Sequence, residues 1–282
     1  MDIGIGLPTT VPGVQRGELL EFARRADRGG FRTLATIDRL VYDSYDCLVA
    51  LSAAAAVTER VRLATTVLIA ASRTGPVELA KQLATIDLLS GGRLVVGLAS
   101  GGRPEDFVAT GTDFHTRGSR LDAMIEGLRR HWDGADGGVG PRPANRIPLW
   151  VGGHSNAAMR RAARYADAWI APGGTNRRFP DLLARAERQF AGVGRAERPR
   201  VVSLVYYALG GDEHVRGVEY LRHYYGHLVK DPAQIERKVL GDAGRIRETA
   251  AQYADAGCDE LIFVPCTGDP EQVERLAGVV LP

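Results

Sequence analysis

The feature that most constrains the fold is a regular alternation of short apolar runs with longer segments of helical periodicity. Apolar runs bounded by turn residues are typical of buried strands, and apolar residues recurring on one side are typical of helices. Their alternation indicates parallel βα units. Eight runs are predicted as strands, at residues 3–7, 33–37, 61–69, 93–98, 149–151, 168–171, 201–207 and 260–264.

Eight such units favour a closed barrel over an open, doubly wound sheet. The 282 residues give about 35 per unit, which suits a βαβ repeat of about 30 residues or more. The G-x-G-x-x-G pattern of dinucleotide-binding open sheets does not follow the first strand. We therefore predict an α/β fold with one domain over residues 1–282, a single (β/α)8 TIM barrel. The irregular stretches 101–119 and 134–148 are predicted as loop insertions at its C-terminal face.

Charge and composition exclude several classes of protein. Lysine plus arginine total 36 against 34 acidic residues, so no general nucleic-acid binding is expected. No apolar run is long enough to span a membrane, and the N-terminus lacks the pattern of an export signal, so we expect no membrane partner. Cys47, Cys258 and Cys266 form no C-x-x-C pair, which argues against a disulfide framework or a cysteine zinc site. A cytoplasmic location is predicted.

In a barrel the chemistry lies at the C-terminal ends of the strands, so the residues that follow each run are the candidates. They include Asp38 and Arg39, the segments 99–103 and 152–155, and the segment 172–176. Asp38 and Arg39 are at least as well explained by a surface ion pair as by catalysis. The small residues of 99–103 are explained either by a flexible turn or by the close approach of a flat ring.

The sharpest candidate is the segment from Trp150 to Asn156, where a strand runs into Gly152-Gly153-His154 and then into Ser155, a helix-capping residue. A helix N-terminus favours a phosphate through its N–H groups and its dipole. An ordinary capped turn explains the same spacing equally well. No metal site is predicted, and the sequence contains no H-E-x-x-H, Walker A or G-x-S-x-G motif.

Two stretches carry a family resemblance. The first is T-E-R-V-R-L-A-T at 58–65, and the second is A-K-Q-L-A-T-I-D-L-L-S-G-G-R-L-V-V-G at 80–97. Further support comes from F-x-x-R-x-x-R-L-D at 114–122, the 150–155 segment and A-G-C-D-E-L at 256–261, so the resemblance extends over nearly the whole chain. The chain resembles the bacterial luciferase-like family of flavin- and deazaflavin-dependent oxidoreductases.

The resemblance implies a TIM barrel that binds FMN or coenzyme F420 at its C-terminal mouth, commonly as a homodimer. It implies cofactor-binding roles in three groups: phosphate contacts, contacts near the ring, and a third-strand bulge behind the ring with a non-prolyl cis peptide at Thr66-Val67. The groups are, in that order, Gly152, Gly153, His154 and Ser155; Ala99, Ser100 and Gly101; and Thr65, Thr66 and Val67.

The chain departs from the family after the second strand. Many members have a histidine after an acidic residue there, whereas this sequence has Asp38-Arg39. Arginine is a poor proton donor but a good anion ligand, so Arg39 is a candidate for holding a charged substrate or a reduced cofactor. His154 and His115 are the remaining candidates for a general acid.

The predicted activity is hydride transfer on a small organic substrate, with oxygen activation as a further outcome if the cofactor is FMN. NAD(P)H is a candidate reductant. Two alternatives stay open: a flavin-binding protein without turnover, and a phosphate-binding barrel enzyme without redox chemistry.

Overall fold

The fold was derived from a computed structural model of the chain. The structure describes residues 1–135, 137–173, 178–194, 197–226 and 232–281. Parts of three predicted segments lie outside the described residues. They are position 136 of the 134–148 stretch, positions 174–176 of the 172–176 strand end, and positions 227–229 of a helix that the sequence periodicity predicts over 215–229.

Parallel strands close into a barrel. Eight strands are hydrogen-bonded in the cyclic order β1-β2-β3-β4-β5-β6-β7-β9. The two-residue strand β8 pairs with the C-terminal end of β7. The strands are β1 Asp2–Gly6, β2 Thr33–Thr36, β3 Arg62–Ile69, β4 Leu94–Ala99, β5 Leu149–Gly152, β6 Ala168–Ala171, β7 Arg200–Tyr207, β8 Val239–Leu240 and β9 Glu260–Pro265. The predicted (β/α)8 barrel is confirmed.

Helices follow the strands and cover the outside of the barrel. They are α1 Arg16–Arg28, α2 Cys47–Ala55, α3 Pro76–Leu89, α4 Pro104–Thr110, α5 Arg117–Asp133, α6 Asn156–Tyr165, α7 Phe179–Ala191, α8 Gly211–Tyr225, α9 Pro232–Glu236, α10 Ala243–Asp255 and α11 Glu271–Val280. Within the described ranges, no helix combines the length and the apolar character needed to cross a lipid bilayer.

The prediction of an irregular segment over 101–119 was wrong in part. This segment contains α4, a 3-10 turn at Phe114–Thr116 and the first turn of α5. The signals of a short helix are present in the sequence: Pro104 occupies its first turn, acidic Glu105 follows, and Gly111 ends it in a left-handed conformation at φ 65°. Seven residues show too little periodicity to stand out from a loop.

Two apolar layers form the core, one inside the barrel and one between the barrel and its helices. Alternation along β7 shows the division, since Val202, Leu204 and Tyr206 face inward while Val201 and Tyr207 pack on the helices. The inner layer therefore ends, at the C-terminal mouth, on the Tyr206 side chain.

A buried carboxylate links strands at the opposite, N-terminal end of the barrel. Glu260 is fully buried on β9, where it accepts a hydrogen bond from Thr33 Oγ1 at 2.5 Å. Its other oxygen lies 2.7 Å from Arg62 Nη2 and 3.5 Å from Arg200 Nη2. A buried carboxylate is tolerated only when it is paired in this way.

We expect Glu260→Gln to lower the free energy of unfolding by about 2 kcal/mol, because hydrogen bonds to charged groups contribute about 1.5–3 kcal/mol. In one of its two orientations, the glutamine side chain would also turn its NH2 group, a hydrogen-bond donor, toward the Arg62 guanidinium, which needs an acceptor. Urea denaturation measures the change. The matched control is Glu274→Gln, which removes an exposed pair with Arg25 at 3.0 Å and should cost under about 1 kcal/mol. Equal costs for both variants would contradict the interpretation.

Candidate functional site

A cavity of about 330 Å³ opens at the C-terminal mouth of the barrel. This volume lies at the lower end of the range of about 300–1,000 Å³ that is usual for small-ligand sites. Its walls combine aliphatic side chains, tyrosines and a few charged groups. The lining residues are Ile37, Asp38, Arg39, Thr66, Val67, Ile69, Gly102, Arg103, Asp106, His154, Pro172, Gly173, Leu204, Tyr206, Tyr224 and Tyr225.

A bulge in β3 forms one wall of the cavity. The pairing between β3 and β4 shifts register between Thr65 and Leu68, and the Thr66-Val67 peptide is cis, as predicted. Thr65 Oγ1 donates to the Gly97 carbonyl at 2.7 Å and accepts from the Gly97 N–H at 2.9 Å, which ties the bulge to β4. Thr66 and Val67 line the cavity, whereas the fully buried Thr65 supports them through its bonds to the neighbouring strand β4.

The end of β5 leads directly into α6. Ser155 caps this helix, since its Oγ accepts the N–H of Ala158 at 3.1 Å. Gly152 and Gly153 both stand where a side chain would clash: a Cβ at 152 would lie 2.8 Å from Val67 Cγ1, and one at 153 would lie 2.7 Å from Ala158 Cβ. Gly153 also has φ +134°, which only glycine adopts readily.

Hydrogen bonds from β6 fix the glycine pair in place. The Gly153 N–H donates to the Ile170 carbonyl at 3.2 Å, and the Gly153 carbonyl accepts from Trp169 Nε1 at 2.8 Å. Because Trp169 is fully buried, this support is rigid. The Ser155 hydroxyl and the Gly153 N–H are thus already used within the protein. The first N–H groups of α6, those of Asn156 and Ala157, have no carbonyl within the helix to bond.

The 99–103 segment lies beside the cavity. Ala99, Ser100 and Gly101 are partly buried, and Gly101 has φ +76° with Ile69 Cγ2 2.7 Å from where its Cβ would be. The cavity lining in this segment comes from the next two residues, Gly102 and Arg103.

Asp38 joins the ends of two strands. Its Oδ2 accepts the Ile69 N–H at 2.9 Å and lies 3.4 Å from Arg73 Nη2, while its own N–H donates to the Val67 carbonyl at 3.3 Å. These bonds hold the β3 bulge against β2. The prediction of a surface ion pair at Asp38 and Arg39 was wrong, because both are buried and Asp38 pairs with Arg73. Asp38 is an ion-paired positioning residue at the wall of the cavity.

Arg39 lies buried between aromatic rings. Its guanidinium carbon is 5.1 Å from the centroid of Tyr42 and 5.3 Å from that of Tyr224, within cation–π range. Nη2 donates to the Val41 carbonyl at 3.0 Å, and Nε lies 3.8 Å from Asp106 Oδ2. Nε and Nη1 are buried without a hydrogen-bond partner. The side chain is held in place by stacking and charge, and it is a cation at the cavity wall.

The two candidate histidines lie in different places. His154 is exposed and lines the cavity, at the start of α6. His115 lies on the 3-10 turn between α4 and α5, with its ring against Phe114 at a centroid distance of 5.9 Å. The structure therefore brings His154, and not His115, together with Arg39.

Sequence reasoning missed the tyrosines that α8 carries across the mouth. Tyr224 and Tyr225 line the cavity with Tyr206 from β7. Three bonds tie α8 to three loops: Tyr220 Oη lies 2.7 Å from Thr10 Oγ1, His223 Nδ1 lies 2.8 Å from Tyr42 Oη, and the Tyr224 carbonyl accepts from Arg103 at 2.9 Å. Only Tyr206 had a usable signal, because alternation along β7 turns it inward.

These features fit a cofactor that joins a flat ring to a phosphate. The glycine pair lets the backbone pass close to Val67 and Ala158, so that the chain enters α6 at the cavity, where the first N–H groups of the helix can bind a phosphate. Val67, Ile69 and Leu204 supply apolar walls of the kind a ring needs. The residues present would hold the phosphate at the start of α6 and the ring against the β3 bulge.

The chain matches the sequence model of the luciferase-like monooxygenase family over residues 1–279. The protein belongs to that family.

The chain is similar to several known proteins and solved structures. It is 36% identical over 125 residues to an uncharacterized protein of Mycobacterium tuberculosis, a match that spans 40% of this chain and 43% of that protein's length. An F420-dependent glucose-6-phosphate dehydrogenase of Amycolatopsis mediterranei is 24% identical over 297 residues, 87% of each chain. An F420-dependent secondary alcohol dehydrogenase, solved with an F420-acetone adduct, superposes with TM-score 0.81 at 18% identity, over 99% of this chain and 98% of that one. This last likeness concerns the fold.

Proposed function

We propose that the protein is a flavin- or deazaflavin-dependent oxidoreductase, with coenzyme F420 as the first candidate cofactor and FMN as the second. The observation that carries the proposal is that one cavity is lined both by the β3 bulge and by His154, which the Gly152-Gly153 pair joins to β5 at the start of α6. F420 comes first because the relative from Amycolatopsis mediterranei, aligned over 87% of the chain, is named as F420-dependent.

A bound flavin or deazaflavin would supply the hydride transfer. The chain's own residues bind the cofactor and orient its ring and phosphate. The first N–H groups of α6 bind the phosphate, with Ser155 holding the helix end in its capped form. Val67 supports the ring, and Asp38 keeps the bulge that carries Val67 in position. Arg39 places a buried positive charge at the wall, where it favours an anionic group in the cavity.

The substrate we propose is a small organic molecule that enters between α8 and the strand ends. His154 is the histidine placed to exchange a proton with it, since it lines the cavity. We also propose NAD(P)H as a reductant if FMN is the cofactor. A homodimer, a one-domain chain and a cytoplasmic location stay predictions. Exposed apolar side chains such as Val49 on α2 and Leu89 on α3 mark the faces where a second copy would pack.

Titration of the purified protein with F420 and separately with FMN tests the proposal, with binding followed by fluorescence. We expect one of the two to bind with a dissociation constant at or below about 10 μM, near −7 kcal/mol. Gly153→Asp should abolish that binding. Its matched control is Gly111→Asp, which adds the same side chain at another positive-φ glycine with nothing within 4 Å of its Cβ. Binding of neither cofactor would overturn the proposal.

A further inference from the structure

The cavity contains a pair of phenol groups for which the proposed function so far has no role. Tyr206 Oη and Tyr225 Oη lie 2.6 Å apart, a short hydrogen bond in which either atom can be the donor. Tyr206 is the last inward-facing residue of β7, and Tyr225 is the last residue of α8. Both line the cavity.

The pair stands opposite the bulge that would support the cofactor ring. In the cyclic strand order, β7 is four strands from β3 in either direction, so the two strands face each other across the barrel. Val67 on β3 and Tyr206 on β7 are therefore on opposite walls of one cavity. A molecule lying on the open face of a ring held at Val67 would have the tyrosine hydroxyls beside it.

The two hydroxyl groups of the pair have one proton left for a further hydrogen bond. Two phenols carry two protons, and their mutual bond uses one of them. Burial raises the pKa of Tyr225, although its bond with Tyr206 and the positive charge of Arg103 oppose that rise. Both hydroxyls therefore keep their protons at neutral pH, and the pair acts as a donor and not as a base.

We propose that the Tyr206–Tyr225 pair binds the carbonyl oxygen of a ketone substrate by donating a hydrogen bond to it through the second phenol proton. The proposal rests on the proposed function, since it places this substrate beside the cofactor ring. The pair would fix the substrate's orientation and draw electron density from its carbonyl carbon, which favours addition there of a hydride supplied by the reduced cofactor. The oxygen would take up the phenol proton as the C–H bond forms, and water would return a proton to the phenolate. It would do so at a position in the fold different from that of the histidine which many family members carry after the second strand.

Carbon-13 NMR of the hydroxyl-bearing ring carbon tests this directly, because the protein has nine tyrosines and so nine such signals. Tyr206→Phe and Tyr225→Phe assign the two signals. The probe is cyclohexanone, added to the protein with and without the cofactor that binds. We expect the Tyr206 and Tyr225 signals to move together, and Tyr225→Phe to raise the dissociation constant of cyclohexanone about fivefold.

Tyr207→Phe is the matched control. Tyr207 adjoins Tyr206 on β7 but faces the helices, where its hydroxyl donates to the Gln272 carbonyl at 3.2 Å. Its loss should leave ketone binding unchanged. If the Tyr206 and Tyr225 signals do not move although F420 or FMN binds normally, the pair does not bind the ketone. The proposed function would then still hold. If the two signals move but the protein binds neither cofactor, ketone binding by the pair is supported and the proposed function is overturned.

Discussion

Ser155→Asp is expected to weaken binding of F420 or FMN about 100-fold, or roughly 3 kcal/mol, while the protein stays folded. Aspartate caps helices as well as serine does. This chain already uses it so: Asp46 caps α2 and Asp242 caps α10. The new carboxylate would stand beside the proposed phosphate, and two like charges about 4 Å apart repel by up to about 4 kcal/mol near a protein surface. Fluorescence titration gives the dissociation constant.

Ser155→Ala separates the charge from the cap. It removes the bond to the Ala158 N–H and should cost about 1 kcal/mol of stability, but it adds no charge. Cofactor affinity should then fall only a few-fold. A Ser155→Asp protein that binds as tightly as the wild type would show that the phosphate lies elsewhere.

Arg39→Ala is expected to lower the free energy of unfolding by about 3–5 kcal/mol, because removing one partner of a buried pair leaves the other charge uncompensated. The partner is Asp106, whose side chain is 4% exposed. The variant also loses stacking on Tyr42 and Tyr224. Thermal denaturation should show a fall in Tm of about 10 °C.

Two further variants check that the cost comes from the buried pair. Arg39→Ala combined with Asp106→Asn removes both charges, so it should recover part of the lost stability. Arg222→Ala removes an exposed pair with Glu236 at 3.3 Å and should cost under about 1 kcal/mol. If Arg39→Ala and Arg222→Ala lower the Tm by the same amount, Arg39 does not stabilise the C-terminal mouth of the barrel.

The barrel strands were largely predictable because each is a buried apolar run between turn residues. β6 was predicted at its observed bounds, and β2 and β5 to within one residue. β8 was not predicted, since the two residues Val239 and Leu240 show no periodicity. They pair with β7 only because β7 extends beyond the end of β6. Strand existence depends on local pattern, whereas such short additions depend on tertiary context.

The site was predictable where it follows strand ends. The rule that barrel chemistry lies after the strands places Arg39 and His154 in the cavity, and both line it. The tyrosines of α8 could not be predicted in this way, because a helix that crosses the mouth is positioned by contacts far apart in the chain, such as Thr10 with Tyr220. His115 follows no strand, and it lies outside the cavity lining.

The central claim is that one cavity, between the β3 bulge and the start of α6, holds the redox cofactor. A crystal structure of the protein with F420 or FMN bound tests it most directly. We expect the cofactor phosphate at the N–H groups of Asn156 and Ala157, and the ring between Val67 and the Tyr206–Tyr225 pair. A cofactor bound outside this cavity, with the start of α6 contacting no phosphate, would contradict it.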